Sequence, residues 1–412
     1  MTDPAPLYLV LLSALLCAAV FVHVRDAARR RVFMAAQGGG PRPHSRSRYH
    51  GALAALAAAA ACVLVLGGGL ALRDGGSPLF DALWMAAING AGVAAGWAVA
   101  RRSTLSTRAR PAVERIIRGG LAAVSALAVL ITLGIVATLL FEALLFFADV
   151  SVIEFVFGTQ WSPQTAIREG GAGQSGQFGA VPVFAGTLLV TAVALVVAVP
   201  TGLMIAIYLS EYASRRTRAL VKPMTEVLAG IPPVVYGVFA LLTIGPAIRA
   251  GAGLLGLSVP VQSALAAGLV LGLMIVPLIS SLSDDVINAV PQSLRDGALA
   301  LGATKSETVR RAVLPSALPG ILSAVLLSVS RAVGETMIVV LAAGRAATLS
   351  ANPLDSVTTV TAQIVALLTG DQVFDSAKTR AAFALGLTLF ALTLILNVVA
   401  LVVVRRYRER YA

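Results

Sequence analysis

Residues 293–321 read SLRDGALALGATKSETVRRAVLPSALPGI and stand between two long apolar runs. No single apolar stretch in the segment is long enough to cross a bilayer, yet the whole is too apolar for a solvated loop. A helical start is expected at Ser293, with Asp296 three residues on in the manner of a capping box. Leu294, Ala298 and Leu301 then share one helical face. Gly302 interrupts, where the missing side chain permits close backbone approach. A second short helix is expected over about 304–313, running into Leu314-Pro315. Such an apolar face needs cover, and a partner protein is the expected source. Gly297, Gly302 and Lys305-Ser306 faintly suggest a phosphate-binding loop, but that motif needs adjacent Gly and Lys between a strand and a helix. Two residues intervene here and no strand pattern precedes, so no nucleotide site is read.

Outward from this segment the chain is dominated by hydrocarbon. Of its 412 residues, 58% are hydrophobic and 13% charged, about half the charged share of a soluble globular protein. Runs long enough to span a bilayer recur about nine times, near 6–22, 50–72, 78–100, 120–147, 182–209, 226–247, 260–282, 320–344 and 383–404. An all-α polytopic membrane protein is expected. Pro200 falls in the fifth run, and Ile231, Pro232 and Pro233 in the sixth, where helix breaks are tolerated if neighbouring helices satisfy the backbone.

The net charge of +12 would ordinarily raise nucleic acid as a partner. Placement argues otherwise, because 25 of the 32 Lys and Arg residues lie in alternate loops, within 25–48, 101–118, 215–222, 295–311 and 405–410. The positive-inside rule then puts the N-terminus outside and the C-terminus in the cytoplasm. The first apolar run has no basic residues before it and a basic cluster after it, so an uncleaved helix is expected. Cys17 and Cys62 sit in apolar runs, and His23, His44 and His50 lack zinc-site spacing, so neither a disulfide framework nor a metal site is read. Residues 34–48 read as a flexible cytoplasmic linker, and 148–180 as an outside loop with Trp161 as an interfacial anchor. Residues 284–318 form the long cytoplasmic loop, and no internal repeat is evident.

One apolar run carries charges that call for a reason: SRAVGETM, 330–337. A central charge costs about 2.5–3.5 kcal/mol on insertion scales, so Arg331 and Glu335 are expected to face a bundle interior or a cavity. A self-neutralising pair one helical turn apart is one reading, although the favourable order places Glu before Arg. The other places Arg331 on a translocation path as an anion-attracting donor, held by Glu335 or with Glu335 paired to a partner subunit, and with Ser330 and Thr336 as further donors.

The order Asp296-Gly297-Ala298, Gly302, Ala312, Leu314-Pro315 resembles, in residue type and spacing, the EAA loop of ABC importer permeases, with Asp for Glu, Gly for the first Ala and Ala for Ile. RAVGETM is similar to the R-A-x-G-E-T-M segment of the phosphate-specific transport permeases, the PstC branch with its relative PstA. Leu228–Gly237 and Phe178–Leu188 resemble two further segments of that family, and the likeness covers about 150–404. Met337 after Gly-Glu-Thr favours PstC over PstA, which more often continues with other residues. Sulfate and molybdate permeases share the Arg-Ala-x-Gly-Glu core but usually follow the Glu with an aromatic, where this chain has Thr336.

This resemblance implies a type I ABC importer permease fold in the bacterial inner membrane, with a first core helix and periplasmic loop over 119–180 and a permease core over 181–412. Residues 1–118 would be an N-terminal extension of about three helices, outside the likeness. It also implies a phosphate importer in which the 284–318 loop docks on an ATPase dimer, with a PstA-like permease and a periplasmic phosphate-binding protein as partners. The chain itself would need no cofactor and hydrolyse nothing, since ATP and magnesium belong to the ATPase. The alternatives are an ABC permease for sulfate, molybdate or tungstate, or an ion-coupled secondary transporter, whose usual internal repeats are missing here.

Overall fold

In the computed structural model the described residues are 18–19, 22–23, 25–27, 30, 49–50, 52–60, 87, 90–99, 108–163, 176–369 and 376–411, with the backbone alone beyond 402. The chain divides into two compact units, Met1–Thr132 and Leu133–Ala412. In the first, residues 52–60 and 90–99 are helical, and the Arg110 guanidinium lies 5.8 Å above the Tyr49 ring. The expected span at 6–22 lies almost wholly outside the described residues, as do large parts of those at 50–72 and 78–100 and the whole 34–48 linker.

Among the described residues six helices are long and apolar enough to cross a membrane: Ala109–Asp149, Val181–Tyr212, Pro233–Leu254, Ala264–Ala289, Lys305–Val333 and Ala377–Val402. At about 1.5 Å rise per residue each exceeds a hydrocarbon core of about 30 Å. They correspond to the six runs expected from 120 onward, with three shifts of boundary. Helix α1, Ala109–Asp149, begins early, so Arg110, Arg115 and Arg118 lie on its first turns. The run expected at 226–247 is split: α4, Arg215–Ala229, ends before Ile231-Pro232, and the span starts only at Pro233. The run expected at 320–344 ends at Val333, leaving Gly334-Glu335-Thr336 as a break before a short helix, Met337–Ala342.

Between α1 and α3 (Val181–Ile207), helix α2 (Val152–Phe157) and an antiparallel pair, β1 (Trp161–Ser162) with β2 (Gln177–Phe178), close one end of the bundle. Trp161 is buried there, 8% exposed, packed edge-on to Phe155 and Phe178. Its ring N–H donates to Gln363 Oε1 at 3.1 Å. It is thus a core residue and not the interfacial anchor expected, because strand pairing folds the loop back over Phe146 and Phe155.

Helix α5 is Pro233–Phe239, α6 Gly245–Leu254 and α7 Ala264–Ala289. Helices α3 and α7 form the heart of the second unit around Ala194, Ala198, Leu271, Ile275 and Ile279. Small residues allow the approach: a methyl at Gly272 would stand 2.9 Å from the Ala194 carbonyl, and one at Gly202 2.9 Å from Ile279. Close backbone contact of this kind is how helices associate where lipid supplies no hydrophobic drive. Pro200 sits within α3 and the helix continues through it to Ile207, so it does not interrupt the span.

Three five-residue π-turns punctuate the spans, at Tyr208–Tyr212, Ala240–Ile244 and Val309–Val313. Two have a cause legible in the sequence. Gly245 N–H donates to Ala240 O and Leu314 N–H to Val309 O, each one residue before a proline, Pro246 and Pro315. Proline brings no N–H and its ring crowds the preceding turn, so the helix widens there.

The helix–glycine–helix unit and the break at 334–336

Helix α8, Gln292–Ala300, starts from Pro291 and not at Ser293, and Asp296 accepts from the Gln292 side-chain amide at 3.0 Å instead of serving a cap. The capping box lies at the next helix, α9 (Lys305–Thr308), where Thr304 Oγ1 accepts from Glu307 N–H and Glu307 accepts from Thr304 N–H. Between them Gly302 has φ +85°, and a methyl placed on it would meet nothing within 4 Å. Nothing within the chain approaches its α-carbon, and the left-handed backbone angle is by itself a reason for glycine. Ala303 N–H reaches Ala298 O and Gly302 N–H reaches Leu299 O, the paired bonds of a helix end that needs a left-handed residue.

The second short helix expected over 304–313 is not separate either. It runs through the π-turn Val309–Val313 into α10, Leu314–Val333, as one membrane-length helix. Gly297 and Ala298 lie on α8, Leu314 packs partly buried against Ile287 and Ala317, and Pro315 opens the span proper. Leu294, Leu299 and Leu301 are 45%, 49% and 91% exposed. The unit therefore presents apolar side chains to its surroundings while its base is anchored.

That anchoring was not read from the sequence. Arg295 donates to Glu211 Oε1 at 2.9 Å, to Ile287 O at 2.8 Å and to Val290 O at 2.6 Å. Lys305 stands 5.1 Å from the Tyr212 ring centroid. Beside them Asp284, 1% exposed, accepts from Arg218 at 2.9 Å, from Lys222 at 3.0 Å and from Asn288 at 2.8 Å. The hydrogen bond to Asp284 holds the Lys222 ammonium above its ordinary range. Arg218 and Lys222 had been read only as topology markers. The signal that could have found the tie was an aspartate closing the apolar run of α7, which demands a cationic partner.

Helix α10 ends at Val333, so Arg331 and Glu335 do not face each other across one turn, and among the described residues no ion pair joins them. Arg331 is exposed in the last turn. Glu335 instead accepts from Met337 N–H at 3.0 Å, capping helix α11, Met337–Ala342. Thr336 is the residue that precedes α11, and Ser330 Oγ bonds Asn397 Oδ1 at 2.6 Å.

The two other segments of the likeness, Leu228–Gly237 and Phe178–Leu188, meet around this break. A methyl at Gly237 would stand 2.7 Å from Leu341 Cδ1, so the Ile231–Gly237 stretch packs on α11. The Tyr236 hydroxyl donates to Leu228 O at 2.9 Å, stapling the chain across Ile231-Pro232. Gly186 leaves room for the Thr358 carbonyl, and Thr187 Oγ1 accepts from Val360 N–H at 3.0 Å, at the start of α12, Val360–Leu368. Thr361 Oγ1 then donates to Glu335 O at 2.6 Å. Sequence segments 150 residues apart are thus joined at one place. The last span, Ala377–Val402, is the apolar part of α13, Ala377–Tyr411.

Residues 198–409 match the family described as binding-protein-dependent transport system inner membrane component. The chain belongs to this family. It is accordingly a multi-pass inner-membrane permease of type I ABC importer fold, a transport subunit and not an enzyme. Permease chains of several bacteria are similar to it over half or more of its core. The probable ABC transporter permease protein YqgH of Bacillus subtilis (strain 168) is 33% identical over 248 residues, 59% of this chain and 75% of that one. The phosphate transport system permease protein PstC 1 of Mycobacterium tuberculosis (strain ATCC 25618 / H37Rv) is 36% identical over 279 residues, 62% of this chain and 82% of that one. The PstA 1 protein of M. tuberculosis (strain CDC 1551 / Oshkosh) is 39% identical over 159 residues, 39% of this chain and 49% of that one.

Proposed function

We propose that this permease carries inorganic phosphate into the cell as one of two homologous membrane subunits of an ATP-driven importer. The observation that carries the reading is the 36% identity across 82% of a protein named PstC 1, together with the RAVGETM segment at the helix break. Similarity also to a PstA 1 protein supports a related permease as the partner. The exposed Leu294, Leu299 and Leu301 of the α8–α9 unit support an ATPase as the protein that covers it, with Asp296, Gly297 and Ala298 in the contact. ATP and magnesium would be held by that ATPase, and a periplasmic phosphate-binding protein would deliver the cargo. The alternation of basic loops supports an outside N-terminus, a cytoplasmic C-terminus and a cytoplasmic α8–α9 unit. Residues 1–118, expected to hold about three helices, would have a stabilising role, with the core beginning at 119.

Transport follows as alternating access. Closure of the ATPase pair displaces α8, and the linked spans α3, α7 and α10 reorient to open the path on the other side. Arg331, exposed where α10 breaks, offers the passing anion a single positive charge. One cation is enough to attract and too little to trap, as conduction requires. Ser330 and Thr336 flank it, Glu335 fixes the break by capping α11, and the Ile231-Pro232-Pro233 break faces α11 as a second point of flexure. Radiolabelled phosphate uptake in cells with and without this chain, competed by sulfate and by molybdate, tests the proposal. Loss of uptake with the chain, unaffected by either competitor, is expected; competition by sulfate or molybdate reassigns the cargo, and undiminished uptake without the chain removes the role.

A further inference from the structure

Both ends of the α8–α9 unit hold the same five residues of another span. Arg295, near the start of α8, places its Nε and Nη2 on Glu211 Oε1 at 3.1 and 2.9 Å. Lys305, at the start of α9, stands over the ring of Tyr212. Glu211 and Tyr212 close the π-turn Tyr208–Tyr212 that ends the membrane helix beginning with α3. The Arg295 and Glu211 side chains are only 14% and 10% exposed, so this ion pair is largely shielded from water. The same guanidinium also takes the carbonyls of Ile287 and Val290 at the end of α7, where Ile287 O has only the Val290 N–H because its regular partner four residues on is Pro291. A second π-turn, Val309–Val313, lies just past the unit and packs against α8. A π-turn carries a wider, weaker backbone ladder than the α-helix on either side, and such turns are frequent at functional sites.

We propose that Arg295, assisted by Lys305, is the positioning residue that transmits displacement of the α8–α9 unit into α3, by gripping the Glu211–Tyr212 turn. The inference rests on the reading of that unit as the ATPase contact. The planar guanidinium binds α8 to α3 and to the end of α7 at once, which an ammonium could not do. Because α3 and α7 are packed backbone to backbone at Gly202 and Gly272, a pull delivered at Glu211 moves the pair as one body. Without the tie, the ATPase would still dock and turn over while the spans stayed behind.

The test uses the complete importer in proteoliposomes and reads phosphate taken up per ATP hydrolysed, with ATPase copurification as the control for assembly. In Arg295→Gln and in Glu211→Gln the ATPase is expected to copurify and hydrolyse ATP within about twofold of the unaltered complex, while uptake per ATP falls about tenfold. The double variant is expected to be no worse than Arg295→Gln alone, since that change already removes the Glu211 contact. Arg295→Lys, which keeps the charge but not the fork, should recover part of the ratio. Lys305→Gln, an exposed change that leaves the core alone, should lower it about twofold to threefold.

An unchanged ratio in the Arg295 and Glu211 variants overturns the inference, as does a double variant whose losses multiply. Loss of the chain or of the ATPase in Arg295→Gln, with a normal ratio in Lys305→Gln, would reduce Arg295 to a structural role and overturn it too. Absence of anion uptake by the unaltered importer sinks the functional reading itself. Normal coupling by the variants in an importer that does transport sinks the inference alone.

Discussion

Two charges decide most at the scale of single residues. Arg331 has neither the intrahelical partner its spacing suggested nor, among the described residues, another ion pair, and a charge in an apolar run is the kind that marks a transport path. Arg331→Gln is expected to reduce phosphate uptake more than tenfold, with ATPase copurification unchanged; uptake within twofold of the unaltered chain would remove its role on the path. Asp284 is the reverse case, a buried carboxylate whose two cationic partners come from α4. Asp284→Ala leaves Arg218 and Lys222 without their acceptor and should cost on the order of 2–3 kcal/mol, somewhat discounted because both cations are partly exposed. Thermal unfolding in detergent reads this as a lowered midpoint; an unshifted midpoint would show that the tie is decorative.

Among the elements, the glycine of the α8–α9 unit separates two explanations. Gly302 has φ +85° and nothing of this chain near its α-carbon, so its backbone angle is one reason for glycine and contact with a partner would be the other. Gly302→Asn, which tolerates the left-handed region, is expected to retain most transport, whereas Gly302→Val adds strain of about 1–3 kcal/mol and should displace α8. Uptake and ATPase copurification measured side by side check this, and equal losses in the two variants would return the explanation to steric contact. The element boundaries follow the same logic. Breaks at Ile231-Pro232 and at Gly334–Thr336 both fall inside uninterrupted apolar runs, where hydropathy sees one span and backbone chemistry makes two pieces. Proline at Pro233 and Pro315 was the legible signal. The break at Gly334 depends on Glu335 capping α11 and on Thr361 reaching across from α12.

For the molecule as a whole the testable consequence is its orientation. A cysteine introduced as Ser306→Cys, with Cys17 and Cys62 replaced, is expected to react with a membrane-impermeant maleimide in inside-out vesicles and to be silent in intact cells. Labelling from outside would invert the topology and move the ATPase contact to the wrong face. The assembly also explains why the spans expose so much apolar surface. Helix α1 shows Leu121, Leu127, Leu130 and Leu133 at 58% or more, a defect in water and the normal condition of a helix bathed in lipid.

Of about nine expected membrane runs, the six from residue 120 onward, with their approximate limits, were legible in the sequence itself, as were the basic-loop alternation and the place of the helix–glycine–helix unit in the chain. Each depends on the length or spacing of neighbouring residues, and hydrocarbon thickness and backbone geometry read those locally. Only the tertiary structure decided which polar groups meet: Lys222 with Asp284 lies 62 residues apart, Arg295 with Glu211 84 apart, and Trp161 with Gln363 202 apart. Nothing in a local pattern distinguishes a loop arginine that merely orients the chain from one that ties two spans together. That distinction is set by which helix ends are brought within about 3 Å of each other, and it is the packing of α3 on α7 that brings them there.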